Sequence, residues 1–264
     1  MARPAGEPSR RTLATTAAAQ TAAGHPDADD RPGQAAAVQF AGAMVHGYDY
    51  LARIWLDGPL RPPEAALRPW LADLISVDAG LAERWAELVR LLDLADEHTA
   101  ADEDYQGCLV IPQPGRYVPP YASVWLDGAE DLWSPTTARV LACYQQAGLD
   151  WTAQQSPGHG RFWVRAPDHL GVECAFVAEL TAGTPEADDP AAMAADFVTG
   201  HLRRWVPAYA EELARHASSR YWRGMAGVLA AWVQLDPLPS PSGARPLPAT
   251  ACVHRSRATL PRGC

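Results

Sequence analysis

Asp168 and His169 stand side by side in Pro167-Asp168-His169-Leu170-Gly171-Val172-Glu173, where titratable groups meet just ahead of a helix. A carboxylate there can cap the helix, or it can receive guanidinium groups through bidentate, charge-assisted hydrogen bonds. The imidazole beside it supplies an adjustable donor or acceptor. The pair can also be read as the acid and base of a small helical enzyme. That reading lacks a nucleophile: Ser123 sits in another segment, and no nucleophile-elbow glycines surround it. Ser123 belongs to Pro119-Pro120-Tyr121-Ala122-Ser123-Val124-Trp125. Two prolines fix the backbone there, so Tyr121 is carried on a stiff stem. A stiff aromatic surface loses little entropy on binding, which suits peptide recognition. The plain alternative is a proline-stiffened loop that packs its aromatics onto the protein's own helices.

His201, Leu202, Trp205 and Pro207 follow in a third stretch that reads mainly as core. No metal site is expected, because His159 and His169 have no Cys near them and no Cys-x-x-Cys pair occurs. The five cysteines are odd in number and widely spaced, which fits reduced thiols in the cytoplasm. Ser9-Arg10-Arg11-Thr12-Leu13 looks like a twin-arginine export signal. The following Ala14–Gly24 lacks the Leu, Ile, Val or Phe that an export peptide needs, so a chance match in an Arg-rich segment is the better reading.

The elements that must carry these groups are helices. Phe40, Met44, Tyr48, Leu51 and Trp55 fall at steps of three and four, and Asp57-Gly58-Pro59 ends that helix. Trp70, Leu71, Leu74 and Ile75 form a shorter copy after Pro69, and Leu81, Trp85, Leu88 and Leu92 make another. Ser134-Pro135 starts a helix that Gly148 closes. Asp168 is expected to cap the helix of Val172, Phe176 and Leu180, which ends at Gly183. Asp189-Pro190 starts the next, which Pro207 breaks or kinks, and Ser218 or Ser219 opens the last. No alternating run argues for a sheet, so the fold class is all-α, with eight to ten helices by this count. Two loops interrupt the pattern, residues 107 to 125 with four prolines and residues 151 to 166. Long ordered loops in a compact domain are more often functional than not.

Composition sets the frame. Of the 264 residues, 1–35 and 236–264 are poor in large apolar side chains and are expected to be disordered tails around one helical domain, 36–235. The overall charge is −9; the first tail cancels to zero and the second carries +3, which leaves −12 on the body. An acidic body disfavours nucleic acid and anionic membrane, and it favours basic ligands. No apolar run reaches bilayer-spanning length.

Taken together and in order, the motifs resemble the TorD/DmsD family of molybdoenzyme maturation chaperones. The family pattern runs aromatic-x-x-Leu-Phe, Pro-Pro-aromatic-x-Ser-Val-aromatic, Asp-His-x-Gly, His-Leu-x-x-Trp. Here stand Tyr105 with Leu109-Val110, Pro119 to Trp125, Asp168-His169-Leu170-Gly171, and His201-Leu202-Arg203-Arg204-Trp205. The resemblance spans about residues 40 to 235. It implies a cytoplasmic, non-catalytic helical chaperone. Such a protein binds the twin-arginine leader and apo form of a molybdopterin oxidoreductase catalytic subunit, and delays export until the cofactor is inserted. The implied leader-binding residues are Tyr105, Leu109, Pro120, Tyr121, Ser123, Trp125, Asp168 and His169, brought to one outer face. Weak guanine-nucleotide binding is part of the resemblance, but no Gly-rich phosphate loop occurs, so no cofactor of the chain's own is expected. Both monomer and dimer are compatible with the sequence. The chain departs from the pattern where Tyr105 and Leu109 are one residue further apart, where Val110 replaces Phe, and where Arg165-Ala166 precede Asp168.

Overall fold

Apolar residues at steps of three and four wind the first helix, α1 (Arg31–Asp57), whose Met44, Tyr48, Leu51 and Trp55 are buried along one face. In the computed structural model the described residues are 31–60, 64–129, 132–152, 164–183 and 187–235. Most of both expected tails lies outside them; α1 already includes residues 31–35. The fold is all-α: α2 (Glu64–Val77), α3 (Ala79–Leu91), α4 (Ala95–Asp104), α5 (Ala122–Asp127), α6 (Pro135–Gln146), α7 (Leu170–Ala182), α8 (Pro190–Phe197), α9 (Arg203–His216) and α10 (Arg220–Trp232) follow. A π-helical segment, Tyr105–Val110, continues α4, and a second, Val198–Leu202, joins α8 to α9. The described residues contain no strand.

Helix α7 is the central post. Every residue from Leu170 to Ala178 is buried, as expected for a stretch that is apolar on nearly every side. It packs along α1 on one side and against α8 on another. Gly171 permits the closest approach to α1, since a Cβ there would lie 2.7 Å from Leu56 Cγ and 3.0 Å from the Ala52 carbonyl. On the other flank of α1, α10 packs against α9 and α3. A chain of indoles fills the space between α1, α2, α3 and α10, with Trp70–Trp85 centroids at 4.8 Å and Trp85–Trp232 at 5.5 Å.

The helix ends largely follow local chemistry. Asp78, Ser134, Asp189 and Ser219 each accept a backbone N–H at the start of α3, α6, α8 and α10. Gly183 closes α7 in the left-handed conformation, with φ 91°. Two expectations need adjusting. Of the break or kink expected at Pro207, the break is absent, since α9 runs through it to His216. Helix α2 starts before Pro69 rather than after it, and Ile75 faces outward.

The motif frame as candidate peptide-binding site

The second and third motifs of the sequence meet across a single antiparallel bridge, Tyr121 to His169. The Ala122 amide donates to the Asp168 carbonyl at 3.0 Å, and the Leu170 amide donates to the Pro120 carbonyl at 2.8 Å. Pro120 contributes only a carbonyl there, so its missing N–H costs nothing. The bridge places the starts of α5 and α7 side by side, and each helix is capped by a side chain from the Asp-His pair. Asp168 Oδ2 accepts the Ser123 amide of α5 at 2.8 Å. His169 Nδ1 accepts the Gly171 amide of α7 at 3.1 Å. The expected cap is therefore corrected: His169 caps its own helix, and Asp168 reaches across to its neighbour. The first four N–H groups of a helix have no partner within it, so two side chains here serve two helices.

These residues are sealed rather than displayed. Ser123, Asp168 and His169 have zero exposure, and Pro120 and Tyr121 are buried as well. The Tyr121 ring stands edge-on to His169 with centroids 5.1 Å apart, and its hydroxyl accepts the Arg165 amide at 3.3 Å. Tyr144 closes the other side by donating to the Pro167 carbonyl at 2.9 Å. The outer face expected for the hook and the acid–imidazole pair is thus absent, because the bridge and caps leave no room for solvent. Burial raises the Asp168 carboxyl above its usual range, opposed by hydrogen bonding from Ser123. Burial likewise pulls the His169 imidazole down from 6.5 to about 3, so it stays neutral.

Trp125 is the predicted site residue that reaches the surface. It is half-buried on α5, donates Nε1 to the Pro119 carbonyl at 2.8 Å, and lies edge-on to Tyr209 at 5.7 Å. Val124 and Leu126 beside it are also partly exposed, and Trp133, just beyond α5, is 63% exposed. Tyr105 and Leu109 lie inside, on the first π segment. Tyr105 donates to the Leu56 carbonyl at 2.8 Å and stacks on Trp222, packing over Gly58, whose φ of 100° ends α1. The extra residue between Tyr105 and Leu109 coincides with the π turn, whose i to i+5 bonding absorbs one residue and keeps both side chains inward.

Several anchoring residues were not singled out in the sequence. Glu173, with zero exposure, holds His201 Nε2 at 2.7 Å and so ties α7 to the second π segment. Burial raises its carboxyl, and the His201 contact counters that. An acid set among the apolar residues of the first two turns of α7 was the available signal, since a buried charge requires a partner. Asp104, also buried, accepts from Arg116 and Ser218 at 2.8 Å and from the Ser219 amide at 2.7 Å. Burial pushes its carboxyl up, but the Ser219 and Ser218 bonds outweigh this and hold it below the usual range.

The arrangement does not fit acid–base catalysis. Ser123, Asp168 and His169 are near neighbours, but Asp168 bonds the Ser123 backbone, and the His169 Nδ1 that would face an orienting carboxylate is committed to Gly171. Among the described residues there is no group of three His, Cys, Asp or Glu that could hold a metal ion.

With this frame in view, the comparison with protein families is decisive. The family model for the nitrate reductase delta subunit matches residues 75–211, just over half of the chain. The chain belongs to that family. It is the family of molybdoenzyme maturation chaperones that also takes in TorD- and DmsD-like proteins, a chaperone family rather than a catalytic one. The match runs from the end of α2 into α9 and includes all the motifs that build the frame. No curated protein and no solved structure matches the chain. Among the described residues, no helix is long and apolar enough to cross a membrane.

Proposed function

We propose that this chain is a cytoplasmic, system-specific chaperone. In this reading it binds the twin-arginine leader and apo form of one molybdopterin-dependent oxidoreductase subunit, assists cofactor insertion and delays export. The observation that carries the reading is the capping of α5 by Asp168 and of α7 by the adjacent His169. Such capping has no catalytic use, but it fixes a short aromatic helix at the surface. Trp125, with Val124 and Leu126, supplies the contact for the leader's apolar stretch. Pro120, Tyr121, Ser123, Asp168 and His169 are positioning residues that hold α5, whereas Tyr105 and Leu109 are buried on the first π segment, where Tyr105 anchors the end of α1. The acidic body draws in the leader's arginines from a distance. Affinity purification of the tagged protein from its native cytosol tests the reading. A molybdopterin oxidoreductase subunit recovered with its leader intact is the expected result. Recovery of only the mature subunit would contradict leader binding, and recovery of no such subunit would contradict the chaperone role.

A further inference from the structure

Trp133 stands just ahead of α6 with 63% exposure, the most exposed aromatic side chain among the described residues. Its indole makes no ring contact or hydrogen bond there. One exposed apolar side chain is ordinary on a protein surface, but this one is carried on a fixed stem. The buried Thr137 hydroxyl donates to the Leu132 carbonyl and accepts the Ser134 amide at 3.4 Å, so the chain is tied on both sides of Trp133. Asp127, the last residue of α5, accepts the Ser134 hydroxyl at 2.6 Å and the Thr136 amide at 2.9 Å. The end of α5 and the start of α6 are therefore one unit. Through these bonds the Cα atoms of Trp125 and Trp133 are no more than roughly 18 Å apart, a span that about five extended residues cover.

The chemistry of this edge narrows the choice of partner. Its charges are already engaged, since Arg139 faces Asp127 at 3.8 Å and donates to the Thr136 hydroxyl at 2.6 Å. What Val124, Trp125, Leu126 and Trp133 offer is apolar, and the first three are half-buried. A whole aromatic side chain carries about 150–250 Å², so the four together expose a few hundred Å² at most. A stable dimer buries about 800 Å² on each partner. The patch fits a short extended peptide rather than a second copy.

We infer that Trp133 is a second anchor for the leader's apolar stretch and, with Trp125, determines which leader is accepted. This rests on the leader reading above. Two separated indoles gain from a stretch that brings a bulky aliphatic side chain to each, whereas an Ala- and Thr-rich stretch covers neither. The chain's own Ala14–Gly24, which follows Ser9-Arg10-Arg11, is of the second kind. The same surface thus separates a client's leader from the chaperone's own look-alike.

Calorimetric titration of the full chain with three synthetic peptides tests it. They are the leader of the subunit recovered by affinity purification, that leader with its Leu, Ile, Val and Phe replaced by Ala, and a peptide of residues 9–24. The parent protein is expected to bind the first at least about tenfold more tightly than the other two. Trp133→Ala is expected to weaken the first by about tenfold, as for an interface anchor, with an unchanged thermal unfolding midpoint. Trp133→Phe should recover most of that loss. Parental affinity in Trp133→Ala beside weakened binding in Trp125→Ala would overturn this inference and leave the leader reading standing. Parental affinity in both variants, or no binding of the leader by the parent, would overturn the two together. Equal affinity of the parent for the unaltered and Ala-substituted leaders would overturn the selectivity. So would a lowered unfolding midpoint in Trp133→Ala overturn the anchor, by making the indole structural. Self-association in sedimentation that Trp133→Ala abolishes would overturn it in favour of a second copy.

Discussion

Asp168 carries the frame at the scale of single residues, and its charge and its hydrogen bond can be separated. Asp168→Ala strands the Ser123 amide without an acceptor and should cost roughly 1–3 kcal/mol of stability. Asp168→Asn keeps an acceptor oxygen and should recover most of that loss in a denaturant titration; equal losses in both variants would contradict the capping role. His169 makes a pH prediction with a definite sign. Its folded value of about 3 lies below the free value of 6.5, so between them the unfolded chain binds the extra proton. Stability is therefore full above about 6.5 and falls as pH drops, by about 1.4 kcal/mol per unit. The raised Asp168 and Glu173 carboxyls act in the opposite direction, since their contribution is full at low pH and declines as pH rises. His169→Asn retains a capping acceptor without the titration, so it should flatten the acid limb; an unchanged slope would refute the assignment. The sequence put Asp168 and His169 before a helix, but it could not say which helix each would cap. That depends on the Tyr121–His169 bridge, and nothing in local spacing encodes a contact between residues so far apart in the chain.

Elements show where pattern reading succeeds and where it stops. The apolar faces of α1 and α3 and the caps at Ser134, Asp189 and Ser219 were all legible, because they rest on neighbours in sequence. Helix α7 was placed by Val172, Phe176 and Leu180, yet its residues from Leu170 to Ala178 are buried on every side, which only tertiary packing decides. The π segments escaped notice because a π turn leaves the three-and-four spacing nearly intact; only the longer interval from Tyr105 to Leu109 hinted at one. Two measurements belong at this scale. Gly171→Ala forces a methyl against Leu56 and the Ala52 carbonyl and should destabilise the α1–α7 crossing by about 1–3 kcal/mol in thermal unfolding. His201→Ala leaves Glu173 buried and unpaired, with an expected loss of roughly 3–5 kcal/mol, whereas His201→Gln should lose less. Equal losses for Ala and Gln would show that the side chain's bulk, not its bond to Glu173, holds the second π segment.

At the scale of the whole molecule, helical content, the absence of strands among the described residues and membership of a maturation-chaperone family agree with what the ordered motifs implied. The motifs proved to be a scaffold more than a surface. Their conspicuous residues, Tyr121, Ser123, Asp168 and His169, stand inside, and Trp125 on α5 carries the contact to the exterior. A sequence reports residue types and order; exposure is set by the packing of α5, α7 and α9 around them. The central claim is that the buried pair positions α5 while Trp125 touches the client. Calorimetric titration of a synthetic twin-arginine leader from the co-purified subunit tests it most directly. Trp125→Ala should weaken binding by about 1–3 kcal/mol, the scale of an interface anchor, while Asp168→Asn, folded and capped, should bind nearly as the parent does. Unchanged affinity in Trp125→Ala, or loss confined to Asp168→Asn, would contradict the account.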